Sequence, residues 1–245
     1  MLFANLNGPK AEAKPGAKGS CPLCERSVFS KCGEVNIWHW AHHKGESCDS
    51  WYEPETEWHR NWKLAFGKEN CEVVINQADG RHLADIRTIG EVVIELQNSP
   101  IQKSIIRERE SFYGERMMWI LNGKPFEENF LITKSPFFED EEYNRLHNPL
   151  ARQNGIVQNT PSDEYQFSWS WCRKSWNEVQ RNVFIDFGNE NLFWVKQGMG
   201  TKCGYGKQIT KEKFLTKYGG NLELLGTLID TFEGNNTADN RATAI

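Results

Sequence analysis

Arg81-His82-Leu83-Ala84-Asp85-Ile86-Arg87 and Val92-Val93-Ile94-Glu95-Leu96-Gln97 are two strand-like stretches, joined by Thr88 and the short loop Ile89-Gly90-Glu91. Successive side chains of a β-strand point to opposite faces of the sheet. In the second stretch this period of two puts Val93, Glu95 and Gln97 on one face. The pair is therefore interpreted as an antiparallel hairpin that carries acidic side chains on a single face.

The length of the loop decides which residues are paired across this hairpin. A three-residue loop puts Thr88 opposite Val92, and Asp85 then falls opposite Glu95 with both carboxylates on the same face. A two-residue loop would put Asp85 opposite Ile94 instead. We expect the first register, because it is the one that produces a chemically useful arrangement.

Two carboxylates that face each other repel, and a hard divalent cation removes this cost by accepting oxygen ligands from both. Such a cation can also polarise a phosphodiester and lower the pKa of a bound water. The sequence thus predicts a catalytic Mg²⁺ or Mn²⁺ held by Asp85 and Glu95, with Gln97 positioned to hold the attacking water. The alternative is that these residues are ordinary acidic side chains on a solvated sheet face.

The segment that precedes the hairpin contains Glu55-Thr56-Glu57-Trp58-His59-Arg60-Asn61-Trp62-Lys63. In a helix, the i, i+4, i+8 spacing of Glu55, His59 and Lys63 places them on one face. The functional interpretation is that Glu55 completes the cation site while His59 and Lys63 contact phosphate, and Lys63 also supplies a positive charge that Gln97 lacks. The alternative is a surface ladder of ion pairs.

The N-terminal residues contain a second set of candidate ligands, which is typical of a zinc site. Cys21-Pro22-Leu23-Cys24 is a knuckle whose two thiolates can reach one ion, and His39, His42, His43 and Cys48 follow. Zinc takes four nitrogen or sulfur ligands in a tetrahedron. The predicted quartet is Cys21, Cys24, His42 and Cys48, with His39 as the alternate histidine, and its role would be structural. Reduced cysteines beside surface histidines are the other interpretation.

The order of patterns along the chain predicts an α/β fold. A helix, three strands, a helix and a strand (αβββαβ) are expected over residues 51–135. A β-rich zinc-binding segment precedes them at residues 1–50. A polar linker at 136–165 and an aromatic-rich α+β extension at 166–245 follow. In the extension, the basic run Lys202, Lys207, Lys211, Lys213 and Lys217 suggests a DNA-binding patch.

Composition limits the class of protein. The 245 residues include 38% hydrophobic and 25% charged ones, which is enough apolar material for a core. The formal net charge of −4 excludes a globally basic nucleic-acid binder and allows local basic patches. No apolar run reaches the roughly 20 residues that a membrane span needs. We expect a cytoplasmic protein without membrane contact.

Several of these motifs together resemble the competence protein CoiA-like family, a branch of the PD-(D/E)XK nuclease superfamily. The resemblance rests on Cys21 to Cys24, Trp38-His39-Trp40-Ala41-His42, Cys48-Asp49, the segment from Glu55 to Lys63, Ala84-Asp85-Ile86 and Ile94-Glu95-Leu96-Gln97, and it extends to Trp171 through Trp176 and Phe184 through Gly188. It implies a restriction-endonuclease-like core with Asp85 and Glu95 as metal ligands, behind an N-terminal zinc-binding segment. Arg109 and Tyr113 are similar to the family's arginine and tyrosine on the following helix, which implies contact with substrate. Gln97 departs from the lysine that most of the superfamily has there.

Two functions are consistent with these features. The first is a metal-dependent nuclease that hydrolyses single-stranded or duplex DNA in competence, recombination, conjugation or phage defence. The second is a non-catalytic, zinc-stabilised nucleic-acid adaptor that recruits a recombinase, a helicase or a defence protein. Cleavage that depends on Asp85 and Glu95 would distinguish the first from the second.

Overall fold

The computed structural model describes residues 1–44, 48–134 and 164–225 of the chain. These residues form two compact units. The first contains residues 1–94 together with the described residues from 212 onward, and the second contains residues 95–211. Residues 136–163 of the predicted linker lie outside the described residues, and Glu164 and Tyr165 already belong to a strand.

The first unit begins with a small antiparallel sheet of five short strands, in the order β2-β1-β3-β4-β5. The strands are β1 (Phe3–Asn5), β2 (Lys10–Glu12), β3 (Lys18–Ser20), β4 (Ser27–Lys31) and β5 (His39–Ala41). Their core is small and includes Val28, Leu23 and the fully buried Trp40, whose indole N–H donates to the Ala11 carbonyl. So little apolar material gives weak stability alone, and a metal staple is physically reasonable here.

Helix α1 (Glu57–Phe66) follows this sheet. Thr56 is its N-cap: the Thr56 side chain accepts from the His59 amide, and the His59 ring accepts from the Thr56 amide at 3.3 Å. The helix ends at Gly67, whose φ of 79° suits glycine. Glu55 was expected on the same helical face as His59 and Lys63, but Thr56 is extended, and Glu55 therefore lies in the segment before the first turn.

A three-stranded antiparallel meander completes the central part of this unit. It consists of β6 (Cys71–Gln77), β7 (Gly80–Arg87) and the start of β8 (Val93–Gln97), the strand on which the two units meet in sequence. Ile86 pairs with Ile94, and the Thr88 amide donates to the Val92 carbonyl at 2.9 Å. This is the three-residue-loop register from which the sequence predicts Asp85 opposite Glu95, so the loop length and the register of these pairs are confirmed.

Helix α3 (Lys211–Tyr218) packs onto α1. All of its residues except Lys211 belong to the first unit. Phe214 is completely buried and meets Trp62 edge to face, with ring centroids 6.0 Å apart. The Asn221 amide donates to the Ala65 carbonyl at 2.7 Å. The predicted basic surface patch between Lys202 and Lys217 is therefore interrupted, since Phe214 belongs to the core.

The second unit contains α2 and a sheet in the order β10-β11-β14-β13-β12-β9. Its elements are α2 (Lys103–Tyr113), β9 (Met117–Asn122), β10 (Phe130–Lys134), β11 (Glu164–Trp169), β12 (Asn182–Asp186), β13 (Asn191–Gln197) and β14 (Cys203–Thr210). β12 pairs with β9 in parallel, and the other pairs are antiparallel. Aromatic residues fill its core, and the ring centroids of Trp119 and Trp176, for example, are 5.2 Å apart.

The predicted mixed α/β class and the β-rich N-terminal region are confirmed. The observed order α1, β6, β7, β8, α2, β9 is the order expected for residues 51–135. Whether these elements form a PD-(D/E)XK core stays a prediction. No helix among the described residues has the length and apolarity needed to span a bilayer.

Candidate metal centre and carboxylate cluster

Three cysteines and one histidine of the first unit converge on one point. The candidate ligand atoms of Cys21, Cys24, His42 and Cys48 all lie within 4.8 Å of one another. Cys21 Sγ is 3.6 Å from Cys48 Sγ, and His42 Nε2 is 3.2 Å from Cys48 Sγ and 3.8 Å from Cys24 Sγ. Two thiolates in a tetrahedron around zinc, at about 2.3 Å from the ion, are about 3.8 Å apart. The predicted quartet is therefore confirmed as a cluster that could bind zinc.

The local backbone explains how the knuckle forms. The Glu25 amide donates to the Cys21 carbonyl at 2.9 Å, and Glu25 has a φ of 62°, so the chain turns tightly between the two cysteines. The Leu23 amide donates to Cys21 Sγ at 3.4 Å, a contact that favours a thiolate. The alternate ligand His39 is not in the cluster, because it lies on β5 with Nδ1 2.9 Å from the Ile37 carbonyl.

Asp49, the residue after Cys48, connects this cluster to β7. Asp49 accepts from His82 Nδ1 at 2.9 Å and from the Leu83 amide at 3.0 Å. Trp51 stacks on the His82 ring, with centroids 3.3 Å apart and planes inclined by 10°. The loop that contains Cys48 is therefore held against the strand that contains Asp85.

A second cluster in the same unit is built around the buried amine of Lys63. Its Nζ lies 2.7 Å from Glu55 Oε1, 3.0 Å from Glu72 Oε1 and 3.1 Å from Asp85 Oδ1. The Lys63 side chain is 1% exposed and those of Glu55 and Glu72 are 6% and 4% exposed, but that of Asp85 is 22% exposed. The cluster is thus closed on most sides and reaches solvent at Asp85.

Glu72 is the most strongly held carboxylate of this cluster. It accepts from the backbone amides of Leu2 and Phe3, both at 2.7 Å, in addition to Lys63. Burial alone would raise its pKa, but Lys63 and the two amides outweigh burial and lower the pKa to about 2. Burial likewise opposes the charge on Lys63, and the carboxylates of Glu55, Glu72 and Asp85 nevertheless raise its pKa well above the usual value.

One carboxylate oxygen of this cluster is left without a partner. Three carboxylates face the Lys63 ammonium, the amino group of Met1 is 3.9 Å from Glu55, and the charge of Lys10 also acts on Glu72. Glu55 Oε2 is buried and has no hydrogen-bond partner among the described residues. In the described part of the chain, the Cys₃His group is the one set of three or more cysteine, histidine or acidic residues whose ligand atoms converge closely enough to hold a metal ion, and the acids around Lys63 do not form such a set.

His59 lies beside this cluster in a separate buried network. Its Nε2 is 3.6 Å from Glu53 Oε2, while its Nδ1 serves the helix cap. His59 and Lys63 were expected to share one helix face and contact phosphate, with a surface ladder of ion pairs as the alternative. Both side chains are almost completely buried, so the surface ladder is wrong. Their partners explain this, since carboxylates and the cap bind the polar atoms that burial removes from water.

The other predicted site residues belong to the second unit. Glu95 is buried and accepts from Arg109 Nη1 at 2.8 Å, so this carboxylate is neutralised by the arginine expected to contact substrate. Gln97 Nε2 donates to the Ser99 carbonyl at 3.0 Å. Tyr113 is buried against Phe112, with centroids 5.1 Å apart. The roles of these four residues in catalysis and substrate binding stay predictions.

Sequence reasoning missed Glu72 and gave no role to the Asp49 side chain. Glu72 is an acid inside the apolar run from Cys71 to Ile75, and a charged residue in such a run is a signal of a buried partner. No local pattern identifies that partner, because Glu72 binds amides about 70 positions away.

Comparison with known proteins supports one part of this description. Residues 10–50 match the family described as competence protein CoiA, N-terminal domain. The match contains all four residues of the Cys₃His cluster, and it bears out the resemblance to the CoiA-like family. No curated protein and no solved structure gave a significant match.

Proposed function

We propose that this protein is a metal-dependent nuclease that hydrolyses phosphodiester bonds of DNA, with the carboxylate cluster around Lys63 as part of its active site. The observation that carries this proposal is that the carboxylates of Glu55, Glu72 and Asp85 surround one buried ammonium group. The cluster is open to solvent at Asp85. Buried groups of this kind are costly, and they are concentrated at functional sites.

The donor set fits a hard divalent cation. Carboxylate oxygens are the protein ligands of Mg²⁺ and Mn²⁺, and the orphaned Glu55 Oε2, in a cluster that is open to solvent at Asp85, favours a cation there. Asp85 and Glu55 would hold it, and the sequence adds Glu95 as a ligand from the next strand. The bound ion would polarise the phosphodiester and lower the pKa of a water molecule.

Lys63 has a defined task in this proposal. Its ammonium orients the Asp85 carboxylate at 3.1 Å, and it supplies the positive charge that lysine gives at the position of Gln97 in most of the superfamily. In the reaction, a water oxygen forms a bond to phosphorus and the bond to one sugar oxygen breaks. The water loses a proton, and the departing sugar oxygen gains one. Positive charge near the phosphate stabilises the charge that develops in this transition state.

We further propose that the Cys₃His cluster binds one structural zinc ion. Four protein ligands leave no position for substrate, which is the pattern of structural rather than catalytic zinc. The ion would fix the Cys48 loop, and Asp49 in that loop holds His82 and Leu83 of β7. Zinc binding would in this way stabilise the strand that contains Asp85.

A cleavage assay on the full chain tests the nuclease proposal. Defined single-stranded, duplex and branched DNA substrates are incubated with protein and either Mg²⁺ or Mn²⁺. Asp85→Asn and Glu95→Gln should each reduce the cleavage rate by about 100-fold or more, the scale expected when a group that stabilises the transition state is removed. Glu91→Gln is the matched control, because Glu91 is an exposed acid in the same hairpin that pairs with Arg87 across the turn.

Two results would contradict the proposal. One is cleavage at the wild-type rate by a folded Asp85→Asn protein. The other is binding of DNA by the wild-type protein with no cleavage of any substrate in either metal, which would favour the adaptor function.

A further inference from the structure

The second unit contains a cavity of about 700 Å³ that is lined by the loop between β13 and β14 and by the chain before β12. We call it the β13–β14 cavity. Its volume lies within the 300–1,000 Å³ that is usual for small-molecule sites. No residue of the proposed carboxylate or zinc clusters lines it, while Lys202 also belongs to the basic patch predicted from the sequence.

The charge on the walls of the cavity favours an anion. Arg181, Lys196 and Lys202 line it, and Glu115 is the one acidic residue among the lining residues. Lys196 and Lys202 are exposed, and Lys196 Nζ lies 3.7 Å above the ring of Trp194. Three cations against one carboxylate suit a phosphate group.

The walls are also held rigidly in place. The Arg181 Nε donates to the Gly114 carbonyl at 2.7 Å, and the amides of Gln180 and Arg181 donate to the buried carboxylate of Glu110 at 3.0 and 3.1 Å. Trp119 Nε1 donates to the same carboxylate at 3.1 Å. A cavity with fixed walls needs little ordering when a ligand binds, which favours affinity.

The loop opposite depends on glycine for its shape. Gly198 has a φ of 86°, and a Cβ there would lie 2.4 Å from the Cys203 carbonyl oxygen. Gly200 has a φ of 77°, and a Cβ there would lie 2.5 Å from the Asn177 amide nitrogen. The loop therefore packs directly against the opposite wall, and it presents Thr201 and Lys202 to the cavity.

The uncharged part of the lining indicates more than a bare phosphate ion. The side-chain carboxamide groups of Asn177, Gln180 and Asn182 offer both hydrogen-bond donors and acceptors. Val179 and Met199 offer apolar surface. A nucleoside next to a phosphate presents hydrogen-bonding edges and apolar ring surface, and this lining offers partners for both.

We propose that the β13–β14 cavity binds a phosphate-bearing nucleotide unit, either as a free nucleotide or as part of a nucleic-acid strand. The phosphate lies by Lys196, Lys202 and Arg181, and the nucleoside lies by the amide side chains. This binding does not depend on the hydrolytic activity proposed above.

Alkylation of Cys203 tests the proposal in the wild-type protein, because this partly exposed thiol lines the cavity. The full chain is treated with iodoacetamide without added divalent cation, and modification of Cys203 is followed by mass spectrometry. dAMP and a 5′-phosphorylated 12-nucleotide strand are the probes, and deoxyadenosine is the control without phosphate. Protection by dAMP and the strand identifies free nucleotide as a ligand, and protection by the strand alone identifies nucleic acid. Both results support the proposal, whereas equal protection by deoxyadenosine, or no protection by any probe, overturns it.

A charge-reversal variant adds an independent measurement. Lys196→Glu with Lys202→Glu should weaken binding of the probe that protects Cys203 by at least 10-fold. For the strand, the slope of log affinity against log salt should fall by about 0.7 for each phosphate that the variant no longer binds. Lys134→Glu with Lys174→Glu is the matched control, because both are exposed lysines of the same unit outside the cavity lining. Equal weakening by both pairs would overturn the proposal, and since Asp85 is untouched, the outcome is separate from that of the cleavage assay.

Discussion

Replacing Lys63 with methionine removes the ammonium group that Glu55, Glu72 and Asp85 share and leaves a side chain of similar length. The Lys63 side chain is 1% exposed, so water cannot easily take its place. Removing one partner of a buried ion pair typically costs about 3–5 kcal/mol. We expect a loss of about 4 kcal/mol at pH 7, most of it from Glu55 and Glu72, because Asp85 is partly solvated.

The pH dependence of this loss has a definite sign. The pKa of Lys63 is raised in the folded protein, so its stabilising effect is fully present at neutral pH and is lost only at alkaline pH. Without Lys63 the Glu72 carboxylate loses the neighbouring charge that does most to lower its pKa, so it takes up a proton more readily as the pH falls. The gap between wild type and Lys63→Met should therefore narrow from pH 7 to pH 4.

Urea unfolding followed by tryptophan fluorescence measures these differences. Lys68→Met is the control, because Lys68 is a 53% exposed lysine in the same region and its loss should change stability by no more than about 0.5 kcal/mol. Added Mg²⁺ should stabilise Lys63→Met more than wild type, since a bound cation would replace the missing charge. A loss below 1 kcal/mol at pH 7, or a loss that does not change with pH, would refute the assignment of Lys63 as the counter-ion of a buried acidic site.

Three further predictions concern the rest of the first unit. Elemental analysis of gently purified wild-type protein should find about one zinc per chain, and Cys48→Ser should lose it. Cys32→Ser should retain the zinc, since Cys32 is outside the cluster. Equal zinc content in both variants would contradict the quartet. Between pH 4.5 and pH 2, the free energy of unfolding of the wild type should fall by about 3 kcal/mol more than that of Glu72→Gln. The reason is that the folded pKa of Glu72 is about 2 against an ordinary 4.5, so its stabilising effect disappears as it is protonated. Parallel pH profiles of the two proteins in acid unfolding would argue against this. Asp49→Ala should lower the free energy of unfolding by about 2 kcal/mol, because its hydrogen bonds to β7 are removed. Ser50→Ala, at an exposed residue, is the control. A thermal midpoint equal to that of the control would show that these hydrogen bonds are unimportant.

Local spacing was sufficient to predict several features. The hairpin register follows from the period of two and the three-residue loop, and the structure has Ile86 opposite Ile94 as expected. The Cys₃His quartet follows from the CxxC knuckle and the nearby His42 and Cys48. In both cases the residues concerned are close in sequence, and covalent geometry limits the alternatives.

Features that depend on distant partners were not predictable in the same way. Glu72 is fixed by the amides of Leu2 and Phe3, and Phe214 is buried by α1, so neither role is visible in a local pattern. The basic patch expected near the C-terminal end of the chain is interrupted for the same reason, since Phe214 is buried and Lys211 lies 2.8 Å from Asp186. Whether its other lysines bind DNA stays a prediction. The start of α1 was missed because Thr56 and His59 form a reciprocal cap, which the apolar periodicity does not report.

Anomalous diffraction from crystals of the full chain soaked in Mn²⁺, recorded above and below the manganese edge, would show whether a cation binds at Asp85. Comparison across the edge separates manganese from zinc at the Cys₃His cluster. We expect a manganese peak at about the 2.0–2.2 Å distance of a small hard cation from an Asp85 carboxylate oxygen, and no such peak in Asp85→Asn. A peak elsewhere, or Asp85 bound by Lys63 alone at saturating Mn²⁺, would contradict the proposed cation site.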